Sequence, residues 1–279
     1  ASHNGMWDMA LLGHVPGLRL AAPRDEASLR SCVREAVEVD DAPTVVRYPK
    51  GALPEPLPAV RALGGDDGVF GEVDLLLEHR AGPDPAGDDE RDGGAAPGAP
   101  ILIVGIGSMA PAALAAGRAL AADGRDVIVA SPRWVIPVPR ALTDLALAAG
   151  RVVVVEDGLV DGGIGSQLRD AMDDALDARD DKAAGERVGA RRPRRAAPPT
   201  TRIGVPRRFV RTCDRATLLE EFSMTAEGIA DAAGAGGRAQ PEARGMRRQG
   251  SHLRAHVGRE RALSGDRRQV PGGGSVRLW

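Results

Sequence analysis

The sequence predicts an α/β fold whose mostly parallel sheet is covered by helices on both sides. Three observations carry this expectation. Short apolar runs at 45–48, 101–105, 127–130 and 151–155 have the length of buried strands, and most are rich in valine and isoleucine. Between such runs lie segments with apolar residues at helical spacing, as in Ile164, Leu168, Met172 and Leu176. The chain has 279 residues, 43% of them hydrophobic, which is ample for a core in one or two domains.

Taken in order, residues 2–13 read as a polar loop leading into a short apolar segment at 9–12. Residues 18–22 form a strand stopped by Pro23, and Asp25 caps a helix with Leu29, Val33, Ala36 and Val37 at helical spacing. The strand at 45–48 completes a strand–helix–strand unit of the parallel type. The β-branched residues Thr44, Val45 and Val46 run into Arg47, Pro49, Lys50 and Gly51. Open α/β sheets place ligands at such strand ends, although solvated charges would look the same. Three prolines at 53–58 predict an extended linker. Residues 73–77 make a short strand, and 81–100, almost without apolar side chains, a disordered insertion.

A second α/β run starts with the strand at 101–105. Ser108 is placed to cap a helix with Pro111 in its first turn, and Gly124 stops that helix. A strand at 127–130, a Pro-rich turn at 132–139 and a helix at 141–149 follow. The strand at 151–155 ends in Glu156-Asp157, and the helix carrying Ile164 comes after it. Residues 179–201 read as a charged, Arg-Pro-rich insertion. A strand at 201–206 and helices at 216–222 and 225–233 close the second run. Beyond Gly234 apolar periodicity is lost and arginine exceeds acid, which predicts disorder. The expected division is 1–52, a linker with a disordered insertion at 53–99, a domain at 100–233 with a disordered insertion at about 179–200, and a tail at 234–279.

The net charge of -2 provides no global field for nucleic acid or membrane. The Arg-rich segments lack interleaved aromatics for base stacking, and no run is long and apolar enough to span a bilayer. Cys32 and Cys213 show neither metal spacing nor a disulfide framework, so a reducing, cytoplasmic compartment is expected. No signal-peptide pattern is read at the start. Local candidates for chemistry are few. His3 is an imidazole in a loop, either a general acid–base or an idle exposed side chain. Gly162-Gly163-Ile164-Gly165 opens a helix after a strand, either as a phosphate cradle or to let the helix pack closely on the sheet.

Several stretches together resemble one family. They are Ser-His-Asn-Gly-Met-Trp-Asp at 2–8, Val-Pro-Gly-Leu-Arg-Leu-Ala-Ala-Pro-Arg-Asp at 15–25 and Ala-Pro-Thr-Val-Val-Arg-Tyr-Pro-Lys-Gly at 42–51. Downstream come Ile-Gly-Ser-Met-Ala at 106–110, Ser-Pro-Arg-Trp-Val-Ile-Pro at 131–137, Val-Glu-Asp-Gly at 155–158, Gly-Gly-Ile-Gly-Ser at 162–166 and Ile-Gly-Val-Pro at 203–206. The pattern resembles the 1-deoxy-D-xylulose-5-phosphate synthases, transketolase-type thiamine diphosphate enzymes, over residues 1–233 apart from the two insertions.

The resemblance implies that 1–52 is the end of a pyrimidine-binding parallel-sheet domain and that 100–233 is a transketolase C-terminal-like α/β domain supporting a homodimer. It implies condensation of pyruvate with glyceraldehyde 3-phosphate and loss of CO₂, with thiamine diphosphate and Mg²⁺ as cofactors. No cofactor-binding or metal-binding residue is expected in this chain, because the family holds both groups mainly through an earlier domain and an activating glutamate. His3 matches the family's active-site histidine. Lys50 stands where many members carry an arginine that grips the aldehyde's phosphate, with Arg47 as a second candidate substrate-binding residue. Thr212 stands where a histidine is expected. The chain is accordingly expected to be a C-terminal portion, inactive when isolated. A non-catalytic assembly module and a 2-oxoacid dehydrogenase β-subunit-like protein are the rival readings.

Overall fold

The structure, a computed structural model, describes residues 6–49, 52, 54–64, 68–81, 98–186, 196–211 and 213–234, with the backbone alone for 181–186. Its larger sheet has six strands. Strands β3 (Arg61–Leu63), β4 (Val73–His79), β5 (Ile101–Gly105), β6 (Val127–Pro132), β8 (Arg151–Leu159) and β9 (Thr200–Val205) lie in the order β3-β4-β6-β5-β8-β9. From β6 to β9 every pairing is parallel, whereas β4 runs antiparallel to both β3 and β6. The smaller sheet has β1 (Arg19–Ala21) between a parallel β2 (Thr44–Val46) and an antiparallel β7 (Trp134–Ile136).

The continuous apolar runs follow from burial on both faces of the larger sheet. Leu102, Val104, Val152 and Val154 face α4 (Arg140–Leu147) and α5 (Ile164–Glu186) in one core. Ile101, Ile103, Val153 and Val155 alternate with them and face α3 (Ala110–Ala122) and α7 (Ala226–Gly234) in another. The predicted stripe Ile164, Leu168, Met172 and Leu176 is buried throughout. Gly124, at φ +73°, ends α3 as expected, since a side chain would strain that backbone.

Several expectations need correcting. The span read as linker contains β3 as well as β4, and both belong to the six-stranded sheet. The short, exposed β3 has no apolar alternation to announce it. The turn read at 132–139 contains β7. Arg133 alone separates β6 from β7, so the chain crosses from one sheet to the other in a single residue. The small sheet thus has a third strand that its own sequence neighbourhood does not supply.

The insertion read from 179 begins later, because α5 continues to Glu186. The rest of that insertion that lies at 187–195, most of the insertion at 81–100 and the tail from 235 lie outside the described residues. Helix α2 (Glu26–Glu38) has the predicted cap, with Asp25 accepting from the Ser28 N–H. Its buried face is rotated from the one its apolar spacing suggests: Ser28 and Cys32 are buried, Leu29 and Ala36 only partly, and Val33 and Val37 are 46% and 81% exposed. Polar links set that orientation. Glu35 accepts from Arg133 (2.5 Å) and from the Trp134 indole N–H (2.7 Å), and Arg24, next to the cap, reaches Asp74 (2.5 Å). No described helix is long and apolar enough to cross a membrane.

Candidate active site

The sequence points to the segment around His3 and to the end of the 44–51 stretch. His3, Lys50 and Thr212 lie outside the described residues. Arg47 is described, immediately after β2, with its side chain 16% exposed. Its Nε donates to Asp8 Oδ2 (2.7 Å), its Nη1 to Asp157 Oδ1 (2.5 Å) and its Nη2 to the Asp157 carbonyl (3.0 Å). Asp8 opens α1 (Asp8–Leu12), and Asp157 sits near the end of β8. Arg47 therefore joins the segment that follows His3, the strand that precedes Lys50 and the larger sheet.

Asp157 is the hub of this network. Its Oδ2 accepts from Ser108 Oγ (2.8 Å) and from Arg215 Nη1 (3.0 Å), and Arg215 Nη2 also donates to Ser108 Oγ (2.8 Å). Arg215 opens α6 (Arg215–Glu221). Ser108 does not cap a helix as expected: it lies in a 3₁₀ turn, and α3 starts from Met109 without a side-chain cap. Burial pushes the Asp157 carboxyl up, but the charges of Arg47 and Arg215 and the Ser108 hydrogen bond outweigh it and hold the carboxyl below its ordinary value. Burial likewise works against a charged Arg47, and Asp157 and Asp8 more than restore it. A second backbone tie runs alongside, from the Leu159 N–H to the Met6 carbonyl (2.9 Å).

Glu156 points away from this network to the N-terminus of α5. Its two carboxylate oxygens accept from the N–H groups of Ile164 (2.8 Å) and Gly165 (2.9 Å). Burial pushes its pKa up to about 7, over the opposing pull of those two N–H groups. Of the two readings of Gly162 to Gly165, close packing is the one the structure supports. A Cβ on Gly163 would lie 2.1 Å from the Leu159 carbonyl and 2.5 Å from Glu156 Oε2, so the anion at this helix end is the protein's own carboxylate.

These residues do not form a cradle for thiamine diphosphate. Every buried side-chain nitrogen and oxygen among the described residues already has a partner. The helix end that would attract a phosphate is taken by Glu156. No group of three or more His, Cys, Asp or Glu among the described residues is placed to hold a metal ion.

The signals for Asp157 and Glu156 were present in the sequence as two acids ending an apolar strand, a pattern that requires partners when buried. The partners Asp8, Ser108 and Arg215 are far from them in sequence, and no local spacing connects them.

Comparison with known proteins places this geometry. Residues 1–56 match the transketolase pyrimidine-binding domain, and residues 95–229 match the transketolase C-terminal domain. The chain is 42% identical over 231 residues to 1-deoxy-D-xylulose-5-phosphate synthase 1 of Kitasatospora griseola, an alignment covering 82% of this chain and 29% of that protein. It is 39% identical over 229 residues to the synthase of Corynebacterium glutamicum strain R, covering 82% and 30%. It is 42% identical over 229 residues to that of Kocuria rhizophila, covering 82% and 29%. The chain thus spans about three tenths of the length of these relatives. Among solved structures, a split-gene transketolase in an inactive β4 tetramer superimposes with a TM-score of 0.57 at 24% identity, over 82% of this chain and 60% of that one. The transketolase of Campylobacter jejuni gives 0.50 at 14% identity, over 80% and 27%. At these identities the two structures show the shared fold alone. On the matched domains, the chain belongs to the transketolase family, and over 82% of its length it is similar to part of the 1-deoxy-D-xylulose-5-phosphate synthases.

Proposed function

We propose that this chain is the C-terminal part of an enzyme that condenses pyruvate with glyceraldehyde 3-phosphate and releases CO₂. The observation that carries the reading is the 42% identity over 231 residues to a protein named 1-deoxy-D-xylulose-5-phosphate synthase 1, beside the pyrimidine-binding-domain match over residues 1–56, which contain His3 and Lys50. The cofactor is thiamine diphosphate with Mg²⁺, which supplies the electron sink for decarboxylation. Among the described residues every buried side-chain nitrogen and oxygen already has a partner, and none of them is assigned to either group.

In this proposal Lys50 holds the aldehyde's phosphate. A lysine keeps the charge of the family's arginine but loses its bidentate fork. His3 exchanges protons with the bound substrate. Arg47, also a candidate for substrate contact, gives three donor bonds to Asp8 and Asp157, which favours a supporting part. The enzyme works as a cytoplasmic homodimer, with no nucleic acid or membrane partner.

The test is a chimaera in which this chain replaces the matching 231 residues of the Kitasatospora griseola protein. Formation of 1-deoxy-D-xylulose 5-phosphate from the two substrates is the expected result. A folded chimaera that makes none of it overturns the reading and leaves the assembly module in its place.

A further inference from the structure

We propose that Asp157, acting through Arg47, is a positioning residue that holds the start of α1 and the end of β2 in register with each other, the two elements from which the chain runs to His3 and to Lys50 of the proposed synthase site. The inference rests on the function proposed above and adds a residue that the resemblance does not assign.

The geometry is specific. Arg47 contacts three different parts of the chain: its backbone N–H donates to Ala21 in the small sheet (2.8 Å), its Nε to Asp8, and its other two nitrogens to Asp157 in the larger sheet. Lys50 follows Arg47 by three residues, and His3 precedes Asp8 by five. At no more than about 3.6 Å per residue, the chain allows about 11 Å between Lys50 and Arg47 and about 18 Å between His3 and Asp8. Both tethers therefore start from one guanidinium, and that guanidinium is fixed by Asp157.

An ion pair so placed contributes little stability for its cost. Arg47 and Asp157 are 16% and 8% exposed, so both lose most of their hydration, and apolar side chains of similar size often serve stability equally well. A planar guanidinium with bonds to two carboxylates and a carbonyl does what apolar packing does not, which is to fix direction. Ser108 and Arg215 secure the far oxygen of Asp157. The carboxylate consequently cannot turn to follow Arg47; Arg47 must come to it.

Two experiments test the inference. In the 279-residue chain, amide hydrogen exchange is compared for Arg47→Met, Arg47→Lys and the milder Asp8→Asn. Arg47→Met is expected to speed exchange at Leu159 and Arg47 by about 10-fold or more, with Val153 and Val154 unchanged. In the chimaera, Asp157→Asn and Arg47→Met are expected to raise KM for glyceraldehyde 3-phosphate about 10- to 100-fold, with KM for pyruvate within about twofold. Arg47→Lys should recover part of the loss. A variant that lowers kcat/KM for both substrates only in step with its folded fraction would make the clamp structural and overturn the proposal. Unchanged kinetics beside accelerated exchange would overturn it too. If Arg47→Met fails to fold, Asp8→Asn carries the same comparison. A chimaera inactive before any substitution refutes the proposed function instead, while the exchange experiment still reports on whether the clamp restrains both segments.

Discussion

Glu156 gives the sharpest prediction about the fold. Its carboxyl is 1% exposed and accepts two backbone N–H bonds at the start of α5. Burial raises its pKa from 4.5 to about 7. The folded protein therefore holds this proton more tightly than the unfolded chain does. Its stabilising contribution is fully present below about pH 4.5 and is lost as pH rises to about 7. At about 1.4 kcal/mol per pH unit, the loss is about 3 kcal/mol. Glu156→Gln removes the titration. The amide oxygen still accepts one N–H, but its NH₂ faces the other, at a cost of about 1–3 kcal/mol. Asp157 does not confuse the result, because its lowered pKa places its own loss below its ordinary value of 3.8, on the acid side of this window. The assay is urea unfolding of the full chain between pH 4.5 and 8, followed by circular dichroism. Wild type should lose stability relative to Glu156→Gln as pH rises, so that the gap between them narrows or inverts. A gap that stays constant across the window would refute the argument that burial outweighs the two N–H groups.

Other predictions use the same chain or the chimaera. Gly163→Ala drives a methyl group into the Leu159 carbonyl at 2.1 Å, and urea unfolding should show a loss of about 3 kcal/mol. Asp25→Ala removes the acceptor for the N–H groups of Ser28 and Leu57, both at 2.9 Å, and the same assay should show about 1–2 kcal/mol. In the chimaera, His3→Ala should lower kcat about 10²- to 10⁴-fold without a matching rise in either KM, as expected of a proton-transfer group; an unchanged kcat would make His3 an idle loop residue.

The central strands were legible in the sequence because burial on both faces leaves a nearly unbroken apolar run, as at Ile101–Gly105 and across the valines of β8. The elements that were missed are governed by distant partners. β7 is three residues between prolines, and it is a strand only because β1 lies beside it. β3 is an exposed edge of three residues that β4 recruits. The orientation of α2 could not be read from its apolar spacing, because Glu35 is pulled in by Arg133 and Trp134, about a hundred residues away in sequence. The site divides in the same way. Motif resemblance pointed to His3, Lys50 and Arg47. Asp8, Ser108 and Arg215 became visible only when folding brought them around Asp157.

The most direct test of the account is the pair of Michaelis constants of the chimaera carrying Lys50→Ala. A charge-assisted contact to phosphate is worth roughly 1.5–3 kcal/mol, or about 10- to 150-fold in affinity. KM for glyceraldehyde 3-phosphate is expected to rise by that factor while KM for pyruvate, which carries no phosphate, stays where it was. Equal changes for the two substrates, or none for either, would contradict it.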